Sequence, residues 1–290
     1  MASKKRVLVT GASGTVASQL LPALRERYDL VLLDTRDTDR DGHPVEGVTV
    51  ADVSDRDRRK YEGYFEGADA VVHLAYVHTN GANVDKYLIE RGNVDTAYNV
   101  YRAAFDAGVP RVVFASSCHA ADWYTGLLET REMEVLSPDV APLSEQFYGW
   151  SKATYEHLGF VFASGSLGRK MGVVLVRIGT PNDGKITNNR SANGLKTYLG
   201  SYISPRDLAQ LFVKSIETPN IDNDSGVPWL VVYGISNNTR AYWSLTNTRA
   251  VLGYEPEDDS ESKFANVVQD VILNAGGEER AGRLGARSGE

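Results

Sequence analysis

The feature that most constrains this chain is an alternation of short runs, apolar on both faces, with longer stretches of helical spacing. Arg6-Val7-Leu8-Val9-Thr10, Leu30-Val31-Leu32-Leu33-Asp34 and Val48-Thr49-Val50-Ala51-Asp52 open the series. Ala70-Val71-Val72-His73-Leu74, Arg111-Val112-Val113-Phe114-Ala115, Val173-Val174-Leu175-Val176-Arg177 and Trp229-Leu230-Val231-Val232-Tyr233 complete it. A strand with no polar face cannot leave one side in water, and strands separated by helices are joined by crossovers. The pattern therefore specifies an α/β fold, a doubly wound parallel sheet covered on both faces. Helices are expected from about Val16 to Arg27 and from about Val84 to Ala107. The stretch 181–196 is polar and rich in Asn and Gly, and is expected as a loop over a site. The charged, Gly-rich stretch 276–290 is expected as a disordered tail.

With 290 residues, the chain suits one large domain carrying a small annex. A formal net charge of −7 argues against a general nucleic-acid or anionic-membrane binder, since either needs a basic face. Cys118 is the single cysteine, which excludes a disulfide framework and a multi-cysteine metal site. The histidines show no metal-ligand spacing, so no metal is expected. No apolar stretch approaches the roughly 18 residues of a membrane span, and the basic start has no small-residue cleavage site. A cytoplasmic location is expected.

Thr10-Gly11-Ala12-Ser13-Gly14-Thr15-Val16-Ala17 joins the first strand to the first helix. Glycines there permit a tight turn and let a pyrophosphate approach helix N–H groups and the positive dipole end. Two glycines at such a junction are weak evidence by themselves; their surroundings strengthen it. Asp34 ends the second strand, where a carboxylate can accept from adenosine ribose hydroxyls, although it could also cap a helix near Thr35. Asp52 and Val53 close the third strand, the place for an adenine contact. Arg36 could meet a 2′-phosphate, but Asp34 would repel one, so NAD is expected over NADP.

Tyr148-Gly149-Trp150-Ser151-Lys152 sets a phenol and an ammonium one helical turn apart. A free tyrosine titrates near pH ~10; a lysine one turn away, with a nicotinamide cation, is expected to favour the phenolate. Such pairs are common on surfaces. What singles this one out is Ala115-Ser116-Ser117, which ends the fifth strand at the carboxyl edge of the sheet, where doubly wound folds bind ligands. There Ser117 can donate to a substrate oxygen beside the tyrosine. His73, inside an apolar strand, reads as structural.

These residues resemble the extended short-chain dehydrogenase/reductase (NAD-dependent epimerase/dehydratase) superfamily, over essentially the whole chain to about residue 273. The resemblance implies a Rossmann-type sheet with a small carboxyl-terminal substrate-binding region: residues 1–178 bind NAD and carry the catalytic residues, and 179–275 form the smaller region, interleaved with the last sheet elements. The family's loop ends in a third glycine where this chain has Ala17, which still allows close helix–sheet packing. The implied cofactor contacts are Gly11, Ser13, Gly14, Thr15, Val16, Asp34, Asp52, Val53, Leu74, Ala75, Asn93, Tyr148 and Lys152. The implied catalytic set is Ser117, Tyr148 and Lys152, with Asn93 supporting the lysine through a helix irregularity and water.

Within the superfamily, Val113-Phe114-Ala115-Ser116-Ser117-Cys118-His119 is most similar to the uronate dehydrogenases, which carry Phe-Ala-Ser-Ser-Asn-His there. The likeness resumes at Leu175-Val176-Arg177-Ile178-Gly179-Thr180, at Asn188-Asn189-Arg190, at Tyr233-Gly234-Ile235-Ser236 and at Tyr242-Trp243. It implies that Arg190 holds a sugar carboxylate with Thr180 nearby, and that His78, Ser117, Cys118, His119 and Tyr148 line the sugar pocket. Cys118 replaces the family asparagine, and His78 falls near a family serine; Cys118 could equally fill space behind Ser117. The implied activity is NAD-dependent oxidation of the C1 hydroxyl of a uronic acid or related sugar to the lactone. A nucleotide-sugar epimerase or reductase, and an NAD-sensing protein without chemistry, are the alternatives. The expected partner is a small sugar or sugar acid, and a homo-oligomer is expected.

Overall fold

The computed structural model describes residues 3–78, 85–130 and 132–274. Strands β1 (Arg6–Thr10), β2 (Asp29–Asp34), β3 (Val48–Val50), β4 (Ala70–His73), β5 (Arg111–Ser117), β6 (Gly172–Ile178) and β7 (Trp229–Gly234) form one sheet. Their order is β3-β2-β1-β4-β5-β6-β7, and every neighbouring pair is parallel. The chain winds outward from β1 to one edge, then returns to lay β4 on the other side of β1. The strand order reverses there, which opens a crevice at the carboxyl ends of the strands.

The helices are α1 (Thr15–Arg27), α2 (Lys86–Asp106), α3 (Thr125–Glu129), α4 (Phe147–Ala163), α5 (Asp183–Thr187), α6 (Ala192–Ser201), α7 (Pro205–Glu217), α8 (Thr246–Leu252), α9 (Ser260–Lys263) and α10 (Ala265–Val268). The two-residue period of the strands sorts their side chains into two cores. Val7, Val9, Val72, Val113, Val174 and Val176 pack under α1 and α7, against Leu20, Leu24, Leu208 and Phe212. Leu8, Val71, Val112, Phe114, Val173 and Leu175 point the other way, against Val100 and Tyr101 of α2 and Tyr155 and Phe162 of α4. Burial on both faces is what the unbroken apolar runs require.

Three expectations about elements change. The third strand ends at Val50, short of Asp52, because β2 offers it partners only from Leu32 to Asp34. The stretch 181–196 is no open loop: it carries α5 and the start of α6. Its polar residues serve as caps, with Asn182 accepting from the Gly184 N–H and Ser191 from the Gly194 N–H. Ile186 and Leu195, both 0% exposed, join Leu199, Tyr202, Phe264 and Val268 in a third small core. The second helix starts at Lys86 behind the Asp85 cap; Val84 lies outside the described residues, as does the 276–290 tail. Among the described residues no helix is long and apolar enough to cross a membrane.

Candidate active site

The turn from β1 into α1 is packed against the exit of β4. Gly11 has φ 74°, and a Cβ there would stand 2.4 Å from the Ala75 nitrogen, so only glycine fits. Leu74 closes the same contact by donating its N–H to the Thr10 carbonyl at 2.9 Å. Ala17, at the position of the third glycine, is fully buried against the sheet. Gly14 caps α1 without a side chain, so the N–H groups of the first turn, which begins Thr15-Val16, meet no side-chain acceptor. That is the donor set a pyrophosphate requires. Asp34 caps no helix: its Oδ2 accepts the Ser13 N–H at 2.9 Å and its Oδ1 the Thr35 N–H at 2.7 Å, which fixes the carboxylate at the mouth of the loop. Asp52 turns to Ser54, accepting from its N–H and its hydroxyl. Val53 is buried, and its carbonyl accepts from Asn99 Nδ2 at 3.1 Å.

The candidate catalytic residues come from β5 and α4. Gly149 makes their meeting possible. A Cβ at that position would fall 2.1 Å from both the His119 carbonyl and Ser144 Oγ, so the first turn of α4 lies directly on the segment following β5. Tyr148 and Ser117 then share a hydrogen bond, and Ser117 Oγ also accepts the His119 N–H at 3.2 Å. The Tyr148 ring is 5.4 Å from Tyr76 and 5.5 Å from His119, edge-on to both. His119 in turn holds Asp122, Nδ1 to Oδ2 2.9 Å.

Lys152 is buried. Its Nζ donates to the Ala115 carbonyl at 3.0 Å and sits over the rings of Tyr155, Tyr76 and Tyr148, at 4.6, 4.9 and 5.7 Å. Burial pulls the ammonium down to about 7, and burial also raises the Tyr148 phenol, opposed by its hydrogen bond to Ser117. The two groups are desolvated together, so each is pushed toward its uncharged form. His73 has the structural role its strand position suggested: Nδ1 pairs with Thr10 Oγ1 at 2.7 Å, and burial pushes the ring down to about 3.

Asn93 stands on α2 without the helix irregularity expected there. Its side chain clamps the peptide of Val77, Oδ1 accepting the N–H at 2.9 Å and Nδ2 donating to the carbonyl at 3.2 Å. Lys152 is not among its hydrogen-bond partners, and α2 runs without a break past it. The chain leaving β4 folds back over α2, and this nearer backbone takes the amide.

A cavity of about 360 Å³ opens beside Tyr148, lined by Tyr76, His78, Lys86, Glu90 and Gln146 among others. Of the expected pocket residues, His78 and Tyr148 line it, while Ser117, Cys118, His119, Thr180 and Arg190 are not among its lining residues. The Cys118 thiol is buried against the Arg177 carbonyl at 3.5 Å, and burial pushes its pKa up, which suits a space-filling residue. Thr180 Oγ1 pairs with Ser201 Oγ at 2.8 Å. Arg190 is exposed, its Nη1 donating to the carbonyls of Thr187 and Asn189 at 2.9 and 3.0 Å. Sequence reasoning passed over Tyr76, Glu90, Asn99 and Asp122. A signal existed for Glu90, a carboxylate one turn before Asn93 on the inward face of α2.

Residues 7–178 match the model of the NAD dependent epimerase/dehydratase family. The NAD-dependent glucose-6-phosphate dehydrogenase of Haloferax volcanii is 34% identical over 264 residues, covering 88% of this chain and 94% of that protein. The L-arabinose 1-dehydrogenase (NAD(P)(+)) of the same organism is 31% identical, covering 88% and 97%. A crystal structure of a mutant uronate dehydrogenase from Agrobacterium tumefaciens complexed with NAD superposes with a TM-score of 0.71 at 28% identity, covering 93% of this chain and 91% of that one.

Proposed function

From a chain that belongs to the NAD dependent epimerase/dehydratase family, we propose an NAD-dependent sugar dehydrogenase that oxidises the C1 hydroxyl of a uronic acid or related aldose to the lactone. The observation that carries this reading is the meeting of Ser117, Tyr148 and Lys152 at the carboxyl edge of the sheet, beside a glycine turn that leaves no room for a Cβ. The relatives named above act on a sugar phosphate, a pentose and a uronate, which supports a sugar and leaves its substituents to be determined.

The site fits NAD: Gly11 admits the close approach, the uncapped first turn of α1 offers donors to the pyrophosphate, and Asp34 offers its carboxylate to the ribose. When bound, NAD supplies the hydride acceptor. Ser117 donates to the substrate oxygen, and Tyr148 receives the hydroxyl proton as phenolate, held by the ammonium of Lys152. His119, fixed by Asp122, lies beside the phenol to meet a sugar hydroxyl. Arg190 is assigned to the substrate carboxylate on its place in the 188–190 segment after β6. In this reading residues 1–178 bind NAD, 179–275 complete the substrate side, and the molecule works as a homo-oligomer.

The test is NAD reduction followed at 340 nm with a panel of uronates, neutral aldoses, sugar phosphates and UDP-sugars. Turnover with uronates or aldoses is expected, with lactone as the product. Activity confined to UDP-sugars, with NAD retained through purification, would instead make the protein a nucleotide-sugar enzyme.

A further inference from the structure

On the wall of the cavity beside Tyr148 lies a polar cluster that the chemistry above does not use. Glu90, on α2, is 6% exposed, and it accepts from three donors. The Tyr76 hydroxyl donates to Oε1, while Ser151 Oγ donates to Oε2 at 2.6 Å and Asn93 Nδ2 at 3.5 Å. Two of these donors reach the reaction centre. Ser151 immediately precedes Lys152 on α4, and the Tyr76 ring lies under the Lys152 ammonium at 4.9 Å and edge-on to Tyr148 at 5.4 Å.

Charge bookkeeping leads to the same place. A buried charge is costly unless it is matched. Among the described residues Arg177 and Lys152 are the buried cations, and Glu90, Glu156 and Asp207 the buried carboxylates. Arg177 is paired with Glu156 through two hydrogen bonds, at 2.8 and 2.7 Å. Asp207 is satisfied by the Ser236 hydroxyl and by the N–H groups of Glu257 and Asp258. Glu90 and Lys152 remain, on facing helices, with the Tyr76 ring between them.

We propose that Glu90 is the buried counter-charge of Lys152 and, through Tyr76 and Ser151, a positioning residue of the reaction centre. The inference rests on the dehydrogenase reading only in giving Lys152 a task. The other titratable groups facing Lys152 carry no opposite charge: His73 and Tyr76 from β4 and the segment after it, His78 just beyond, and Tyr148 and Tyr155 from α4 itself. Burial keeps His73 neutral and raises the tyrosine phenols. Against the burial that lowers Lys152, the opposing influence is Glu90.

The sign follows. Removing a neighbouring negative charge eases proton loss from Lys152, so its midpoint falls. The measurement is the pH titration of the Lys152 13Cε resonance in lysine-labelled protein, assigned by its loss in Lys152→Arg. Glu90→Gln, which keeps an acceptor for Tyr76 and Ser151, should lower the midpoint by about half a pH unit or more. Glu90→Met is a second neutral variant should Gln fail to fold, and Glu90→Asp should restore most of the shift. Midpoints that coincide in wild type and the neutral variants would overturn the proposal. Where wild type turns over, the acid limb of kcat/KM for sugar oxidation should move to lower pH in Glu90→Gln. A wild type inactive on every sugar would count against the dehydrogenase reading alone, because the titration needs no substrate.

Discussion

Tyr148 illustrates how one residue balances two opposing influences. Burial raises the phenol and the Ser117 hydrogen bond lowers it. As the proposed base, Tyr148 must be deprotonated to act, so oxidation is expected to gain as pH rises through its titration. Ser117→Ala removes the lowering influence, and the acid limb of kcat/KM is expected to move to higher pH. Tyr148→Phe keeps the ring but removes the proton acceptor; turnover should fall roughly 10²–10⁴-fold, while NAD binding measured by calorimetry stays close to wild type. Arg190 is the sharper question, because its guanidinium spends hydrogen bonds on its own segment. If it selects a carboxylate, Arg190→Ala should damage kcat/KM far more for a uronate than for the parent aldose. Equal effects on both would remove Arg190 from the site.

At the scale of elements, α4 depends on what lies beneath it. Glu156 of α4 accepts from Arg177 of β6 and from Ser116 of β5, and Arg177 reaches the Tyr233 hydroxyl on β7 at 3.1 Å. The network ties the helix that carries Tyr148 and Lys152 to three strands, with both charges out of water. Removing one partner leaves the other unpaired. Glu156→Ala is therefore expected to cost roughly 3–5 kcal/mol in urea unfolding. A loss within the range of a surface substitution would mean the pair contributes little to holding α4.

At the scale of the whole molecule, the outer faces of α2 and α4 are unusually apolar. Tyr87, Leu88, Phe147, Trp150, Phe160 and Val161 are all exposed, and the Tyr87 ring meets those of Phe147 and Trp150 at 5.8 and 5.7 Å. An apolar surface rimmed by polar residues marks an association site. Sedimentation is expected to give a dimer or a multiple of it, and Trp150→Glu should shift the protein toward monomer without loss of secondary structure. A wild type that sediments as a monomer at micromolar concentration would retire the homo-oligomer.

The sheet was legible because its information is local: runs apolar on both faces can be buried only between two helical layers, and crossovers of that length make the strands parallel. The glycine turn, Asp34 and the Tyr148–Lys152 spacing are local in the same sense, each determined by neighbours within a turn or a strand. The 181–196 stretch misled because capping residues and loop residues share one composition, while the burial of Ile186 and Leu195 depends on α9 and α10, far along the chain. The Val77 partner of Asn93 was not legible for a related reason, since a side-chain amide takes the backbone that folding brings nearest. Glu90 had no legible partner in the sequence. Its place across the Tyr76 ring from Lys152 exists only because α2 and α4 pack face to face, and a buried charge acquires its role from whatever the tertiary structure sets around it.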